Sequence, residues 1–578
     1  MKELKKSLPR RPQGALIRQK EVIKILLIIS SLGLSSCIGL KNFSLGSEHP
    51  LTANTKVNKE EKILIPKAKL SLGTNLAGLF YWSTEFPFKD LFRMSSNWST
   101  QGEGKWDTNE ANKLDLDANG WVKSLHPEKK DHKYNSVVAL IQLNAEKDYF
   151  RGEWIVLYEG EGEIEYGFAA QKNVALSKPG RDVISISIDS NNSGFYLKIK
   201  KTNPKNYIRN IRIIRAKDEK NYQTDIFNPD FIKRIKPFGT LRFMDWMQTN
   251  NSTQKNWQDR PTLKSATWHN FGAPVEVMVD LANKTNSNPW FTMPHQATDD
   301  YIKHFAQYVK AHLHPNLKVY VEYSNEVWNY GFQQANYAKQ KGVVAFANLK
   351  ADEHTKQMYW YSKRTTEVVG IWNQVFQNQK ERIIGVMGAQ SGNTWTAEQA
   401  LKYAWSNSTK TSKDYGIKAI AIAPYFGNYL GASTAASQVQ TWTTDQLFKE
   451  ITVGGVLKNG PKGGALQDAY HQISNYVQLA KKYNLQLVAY EGGQHLVGYS
   501  GIENNQTITD LFIKFNQDPR LKGIYKQYIT KWGQLGGGLF MNFTDINPST
   551  KWGSWGVLET ISQTSSPKYD ALKELSQK

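Results

Sequence analysis

The chain has 578 residues, 40% of them apolar, which is enough for a large core and for more than one domain at roughly 100–200 residues each. Its 18 Trp, 28 Tyr and 24 Phe are a heavy aromatic load; core packing accounts for most of it, and sugar-binding clefts use the same rings as flat platforms. The formal charge of +21 is dispersed, with no basic helix and no aromatic-basic motif, which argues against nucleic acid and reads as a solvated basic surface, with an acidic polymer left open.

The start of the chain reads as an export signal. A basic stretch over residues 2–24 precedes the apolar run ILLIISSLGL, whose ten residues fall short of the roughly 20 needed to span a bilayer. LSSC follows, ending in Cys37, and resembles the bacterial lipobox. That resemblance implies a signal peptide over 1–36 and a lipid on Cys37 that anchors the chain to a membrane. Cys37 is the single cysteine, so no intrachain disulfide can form. Ile38, in place of the Asp that favours inner-membrane retention, points to the outer membrane. Residues 37–67 are polar and Lys-rich and read as a tether.

Order is expected from LSLGTNLAG onward, with a first strand and its loop over 68–114. Residues 115–222 carry short apolar segments separated by turn residues: YNSVVALIQL, GEWIVLYEGEGEIEYGF, RDVISISID, GFYLKIKK and YIRNIRIIRA. Several alternate apolar and polar, the pattern of half-buried strands, and predict an all-β sandwich. It reads as packing support in preference to a carbohydrate-binding module.

From 223 to 578 strands alternate with helical stretches. The predicted strands are GTLRFMDW, NPWFTMP, LKVYVEYSN, RIIGVMGAQ, IKAIAIAPYF, LQLVAYEGG and GGGLFMNFT. Helices are predicted over 299–313, where Ile302, Phe305, Tyr308, Val309 and Leu313 share a face, and over 465–483. With LSLGTN the strands number eight. The fold class is therefore α/β, a (β/α)8 TIM barrel with the β domain inserted after its first strand. An open doubly wound sheet is disfavoured, because SLGTNLAG is not GxGxxG.

In such a barrel catalytic groups gather at the C-terminal strand ends. Those ends hold Arg242 and Asp245, His295, Asn325 and Glu326, Gln390 and Asn393, Tyr425, Glu491, and Asn542 and Asp545. Glu326 and Glu491 directly follow apolar strands, where a carboxylate is unfavourable unless it is paired. Two carboxyls at one rim are what glycoside hydrolysis needs: one donates a proton to the leaving oxygen, the other attacks or stabilises the anomeric carbon. Arg242 and Tyr425 are candidates to keep the nucleophile ionised. Glu322 reads as a buried structural acid paired with an Arg, and Asp245 and Asp545 as loop caps. No metal site is read: His312 and His314 lack a third ligand. No cofactor is required, since two carboxylates suffice.

SNE after the fourth strand and a Glu after the seventh resemble clan A of the retaining glycoside hydrolases. The resemblance implies Glu326 as acid/base, Glu491 as nucleophile, Asn325 on the sugar 2-hydroxyl, and Arg242, Tyr425 and His295 around them. The phrases RNIRII, LRFMDW, TNNS, PHQATDDY, VYVEYSNEVWN, IAPYFG and YEGG are also similar to a group of secreted bacterial proteins often labelled cellulose-binding. Trp328 and Asn542 complete the expected substrate contacts. Many members of the clan end strand eight with a Trp; here the strand reads LFMNFTD, and Trp552 or Trp555 in the next loop is the candidate platform. The expected activity is retaining, endo-type hydrolysis of a β-linked polysaccharide. The alternatives are a non-catalytic polysaccharide-binding surface lipoprotein and a transglycosylase of the cell envelope.

Overall fold

The computed structural model describes residues 71–576, apart from 127, 129, 130, 147, 190–192 and 404–408. The signal, Cys37 and the tether lie outside the described residues. Among those described, no helix is long and apolar enough to cross a membrane.

Eight parallel strands close a barrel: β1 (Leu72–Asn75), β2 (Thr240–Arg242), β3 (Asn288–Met293), β4 (Val319–Tyr323), β5 (Ile383–Gly388), β6 (Ile417–Ile422), β7 (Gln486–Ala489) and β8 (Phe540–Asn542). Neighbours pair in chain order, and β8 returns to β1 through Leu72 opposite Phe540 and Gly73 opposite Met541. The strands are short apolar runs because both of their faces are covered, one by the barrel interior and one by helices. β5 (IIGVMG) is buried at every position. Gly73 is required in β1: a Cβ there would lie 2.6 Å from the Thr240 carbonyl oxygen and closer still to the Met541 side chain.

The helices pack by one apolar stripe each. In Asp299–His312, Tyr301, Ile302, Phe305, Ala306 and Val309 are buried, and Thr298 caps the start by accepting from the Tyr301 N–H. The predicted helix over 465–483 is Gly464–Lys482.

Between β1 and β2 the chain builds two antiparallel four-stranded sheets. One runs Ser99–Gln101, Ser136–Gln142, Gly194–Thr202, Gly162–Phe168; the other runs Arg209–Arg215, Gly152–Glu159, Arg181–Ile186, Ala170–Lys172. The strand Ser99–Gln101 lies ahead of the expected start at 115; three residues are too few to show an alternation. Asp90 ties this unit to the barrel side of the chain, accepting from the Phe92 and Ile213 N–H groups at 3.1 and 2.9 Å. Phe88 packs against Trp246 and edge-on against Trp268, joining the two units in one apolar core.

Candidate active site

The floor of the barrel mouth is organised by one cation. Arg242, at the end of β2, is fully buried, and its guanidinium fork is filled by protein acceptors. Nε and Nη2 donate to Glu322 Oε2 at 3.2 and 3.0 Å. Nη1 donates to Glu491 Oε1 and to Asn75 Oδ1, both at 3.0 Å, and Nη2 also to Asn325 Oδ1 at 2.9 Å. The guanidinium stands 5.1 Å from the Tyr490 ring centroid and 5.6 Å from that of Trp290. Burial opposes its charge, but Glu322 and Glu491 outweigh that and hold it above the ordinary arginine value. Glu322 also accepts from Trp290 Nε1 at 2.9 Å, so the structural acid on β4 is anchored from two strands.

Glu491 follows β7. Its second oxygen accepts from the Tyr425 hydroxyl at 3.1 Å, so both carboxylate oxygens have donors. Burial raises its proton affinity, Arg242 opposes that, and the neighbouring Glu326 adds to the rise. One buried cation thus serves two carboxylates, Glu322 and Glu491, and does not fully neutralise both. Burial therefore raises the proton affinity of Glu322 as well as that of Glu491.

Glu326 follows β4 and is partly exposed. Its Oε1 accepts from the Tyr490 hydroxyl at 2.8 Å and its Oε2 from Asn329 Nδ2 at 2.9 Å. Burial keeps both Tyr490 and Tyr425 protonated, so both act as donors. The backbone here is strained: Ser324 and Glu326 have φ of +57° and +42°. Each such residue costs about 1–3 kcal/mol and persists where the surroundings enforce it. The result is that Asn325 and Glu326 both project into the mouth. Asn325 is held by Arg242 and by Asn250 Oδ1, which accepts from its Nδ2 at 3.1 Å.

Around this network stand rings. His495 lies edge-on to Tyr425 and Trp555, with centroids at 5.2 and 5.0 Å. Trp555 in turn is 5.9 Å from Tyr425, and its indole N–H donates to the Trp552 carbonyl at 2.8 Å. Trp552 is partly exposed, with Lys551 Nζ 4.6 Å above its ring. Of the two tryptophans considered after strand eight, Trp555 is the one against the Glu491 shell. Asn542 is fully buried; its Nδ2 donates to the Thr544 carbonyl, and its Oδ1 is left without a protein partner.

The structure therefore brings Arg242, Asn325, Tyr425 and Glu491 into one hydrogen-bonded network and links Glu326 to it through Tyr490. It does not draw His295 into that network. His295 is buried, packed edge-on by Tyr337, and pushed down to about 4 by burial. Trp328 is also buried, wedged edge-on to Tyr361 and Tyr490, so it packs beneath the mouth and presents no open face.

Four residues of the site were not singled out from sequence. Asn75 ends β1 as the others end their strands, and that position was the available signal. Tyr490 sits beside Glu491, and Asn329 and His495 lie three or four residues past a glutamate. Asp545 accepts from the Ala77 N–H at 2.9 Å, the cap expected of it. It also faces Glu85, a fully buried acid in the loop after β1. Burial pushes Asp545 up to about 7, and pushes Glu85 well above the carboxylate range, helped by Asp545. Among the described residues no group of three or more His, Cys, Asp or Glu is placed to hold a metal ion.

No protein-family model and no curated protein sequence matches the chain. Solved structures similar to it include an exo-beta-1,4-mannosidase from Opitutaceae bacterium strain TAV5, 10% identical over 60% of this chain and 54% of that one, with a TM-score of 0.34. A Cellulomonas fimi endo-beta-1,4-mannanase double mutant is 8% identical over 58% and 62%, with a TM-score of 0.31. A broad specificity endoglucanase from Clostridium acetobutylicum is 14% identical over 62% and 92%, with a TM-score of 0.34. The chain thus spans less than two thirds of the length of the first two. At TM-scores this low the likeness carries no functional weight, and the site stands on its own geometry.

Proposed function

We propose that the protein is a retaining glycoside hydrolase acting on a β-linked polysaccharide through Glu326 and Glu491. The observation that carries this reading is the division of labour between the two acids. Glu491 is buried with Arg242 and Tyr425 on its two oxygens, while Glu326 is partly open and held by Tyr490 and Asn329. In the first step a Glu491 oxygen bonds to the anomeric carbon as the glycosidic C–O bond breaks, and the proton of Glu326 goes to the leaving oxygen. Positive charge developing at the sugar favours ionised Glu491, which Arg242 and Tyr425 hold by its two oxygens. In the second step Glu326 takes a proton from water, the water oxygen bonds to the anomeric carbon, and Glu491 is released. Asn325, which accepts from Arg242, is assigned the hydroxyl beside the cleaved bond in this reading. Membrane attachment through Cys37, facing the outer membrane, belongs to the same proposal.

Glu326→Gln and Glu491→Gln keep the shape and lose the acid, so each lowers turnover by at least about 10³-fold while the variant unfolds near the wild-type temperature. Full activity in either folded variant removes the assignment. Incorporation of labelled palmitate, lost in Cys37→Ala, checks the anchor.

A further inference from the structure

Beside Glu326 the rim carries an aromatic group that the mechanism above does not use. Among the described residues, Tyr330 and Trp395 are the one exposed tyrosine and the one exposed tryptophan, at 49% and 38%. Tyr330 lies four residues past Glu326 in the loop after β4. Trp395 opens the helix Thr394–Lys402 that follows β5. Both therefore sit on the C-terminal rim, in the segments that follow two paired strands, the first of which leads into Glu326.

Exposed aromatic rings on a surface ordinarily swing freely; these are fixed. The Trp395 indole lies flat on the His354 imidazole, with centroids 5.2 Å apart and planes 13° from parallel, so one face is covered and the other stands open. Its backbone N–H donates to Asn393 Oδ1 at 3.1 Å, and the Asn393 carbonyl is held by the Tyr476 hydroxyl at 3.1 Å. The Tyr330 hydroxyl donates to Gln357 Oε1 at 2.5 Å, and His354 Nδ1 lies 3.3 Å from the same oxygen. Gln357 is fully buried and donates to the Val327 and Ala335 carbonyls at 2.8 and 3.2 Å. One buried amide thus positions Tyr330 and His354, and His354 backs Trp395. Rings fixed in advance bind a flat apolar partner without losing further side-chain freedom.

We infer that Tyr330 and Trp395 form a stacking platform for a pyranose ring on the leaving-group side of the cleaved bond. The inference rests on the glycosidase reading and deepens it. Glu326 must touch the glycosidic oxygen, and Glu491 reaches the anomeric carbon from β7, so the substrate beyond Glu326 is the part that departs. The β4–β5 rim is where that part lies, and the open face of Trp395 meets the C–H face of a sugar as it would any flat apolar surface. A platform there lets the chain continue past the cleaved bond, which is the arrangement that admits internal linkages.

The test separates this site from the catalytic pair. The protein is treated with 2-deoxy-2-fluoroglucosyl fluoride and 2-deoxy-2-fluoromannosyl fluoride, which carry no leaving-group sugar, and the adduct on Glu491 is followed by intact mass. The trapped enzyme is then released by water alone or by added cellobiose or mannobiose. In release by an acceptor, the acceptor oxygen bonds to the anomeric carbon, its proton goes to Glu326, and the bond to Glu491 breaks. Trp395→Ala and Tyr330→Ala are each expected to lower the ratio of acceptor-promoted to water release about tenfold, and Trp395→Phe is expected to recover part of the loss. An unchanged ratio in both alanine variants overturns the platform and leaves the glycosidase reading standing. A wild-type protein that forms no adduct and turns over no polysaccharide loses both readings together.

Discussion

Between the two sheets of the sandwich, Val137, Ala139, Ile141, Trp154, Val156, Ile184, Phe195, Leu197 and Ile213 are buried side by side, and the interior is apolar. At the barrel mouth, Arg242, Glu322, Asn325, Glu491, Asn75 and Asn542 are also buried, and every one is polar. The first interior is what hydrophobic burial selects, at about 25 cal/mol for each Å² of apolar surface removed from water. The second runs against that selection. Ions taken out of water cost several kcal/mol each even after relaxation, and the arrangement survives because every donor of Arg242 has an acceptor. The contrast separates a region whose burial favours the fold from one whose burial opposes it, and the second is where the proposed chemistry sits.

That contrast can be broken by experiment. The largest effect is expected at Arg242→Ala, which strands Glu322 and Glu491 as buried acids without a cation. A loss of about 3–5 kcal/mol in stability, together with loss of turnover, should appear in denaturant melts and in assays of the folded fraction. Stability unchanged with activity gone would mean that the mouth relaxes more freely than its packing implies. Trp154→Ala in the sandwich should cost a similar 3–5 kcal/mol through the cavity it leaves, yet the activity of each folded molecule should match the wild type. Loss of activity in molecules that remain folded would show that the sandwich does more than support.

The smallest effect lies in the pH dependence of the Glu85–Asp545 contact. Asp545 is raised from 3.8 to about 7 by burial, so the folded state holds its proton more tightly than the unfolded one. Its contribution to stability is complete below the unfolded value and is lost as pH rises through about 7. Asp545→Asn keeps an acceptor for the Ala77 N–H and removes the ionisation. The melting temperature of the variant relative to wild type should therefore climb between about pH 4 and 7 and level off above. Taking the difference between the two proteins cancels His269, His295 and His495, which burial holds down to about 4 and which run in the opposite direction. A flat difference across that range would show that Asp545 is ionised throughout.

Sequence alone determined the barrel, because eight doubly covered strands must read as short apolar runs and the helices between them must carry a single apolar stripe. It also determined that polar residues stop those runs at one end, which placed Glu326 and Glu491 on strands four and seven. Sequence could not determine which side chains share a donor. Arg242 meets Glu322, Asn325, Asn75 and Glu491 across separations of up to 249 residues, and those meetings exist only once the strands close. Trp328 reads as a substrate contact because an aromatic beside a candidate acid has the same local pattern whether it faces solvent or core; in the folded chain it is buried. Tyr330 and Trp395 passed unnoticed for the converse reason. Their fixed posture depends on Gln357 and His354, which lie one helix away in the chain and meet the rings only in the packed molecule. Local pattern fixes periodicity, whereas donor sharing and the posture of a ring depend on distances that only tertiary packing sets.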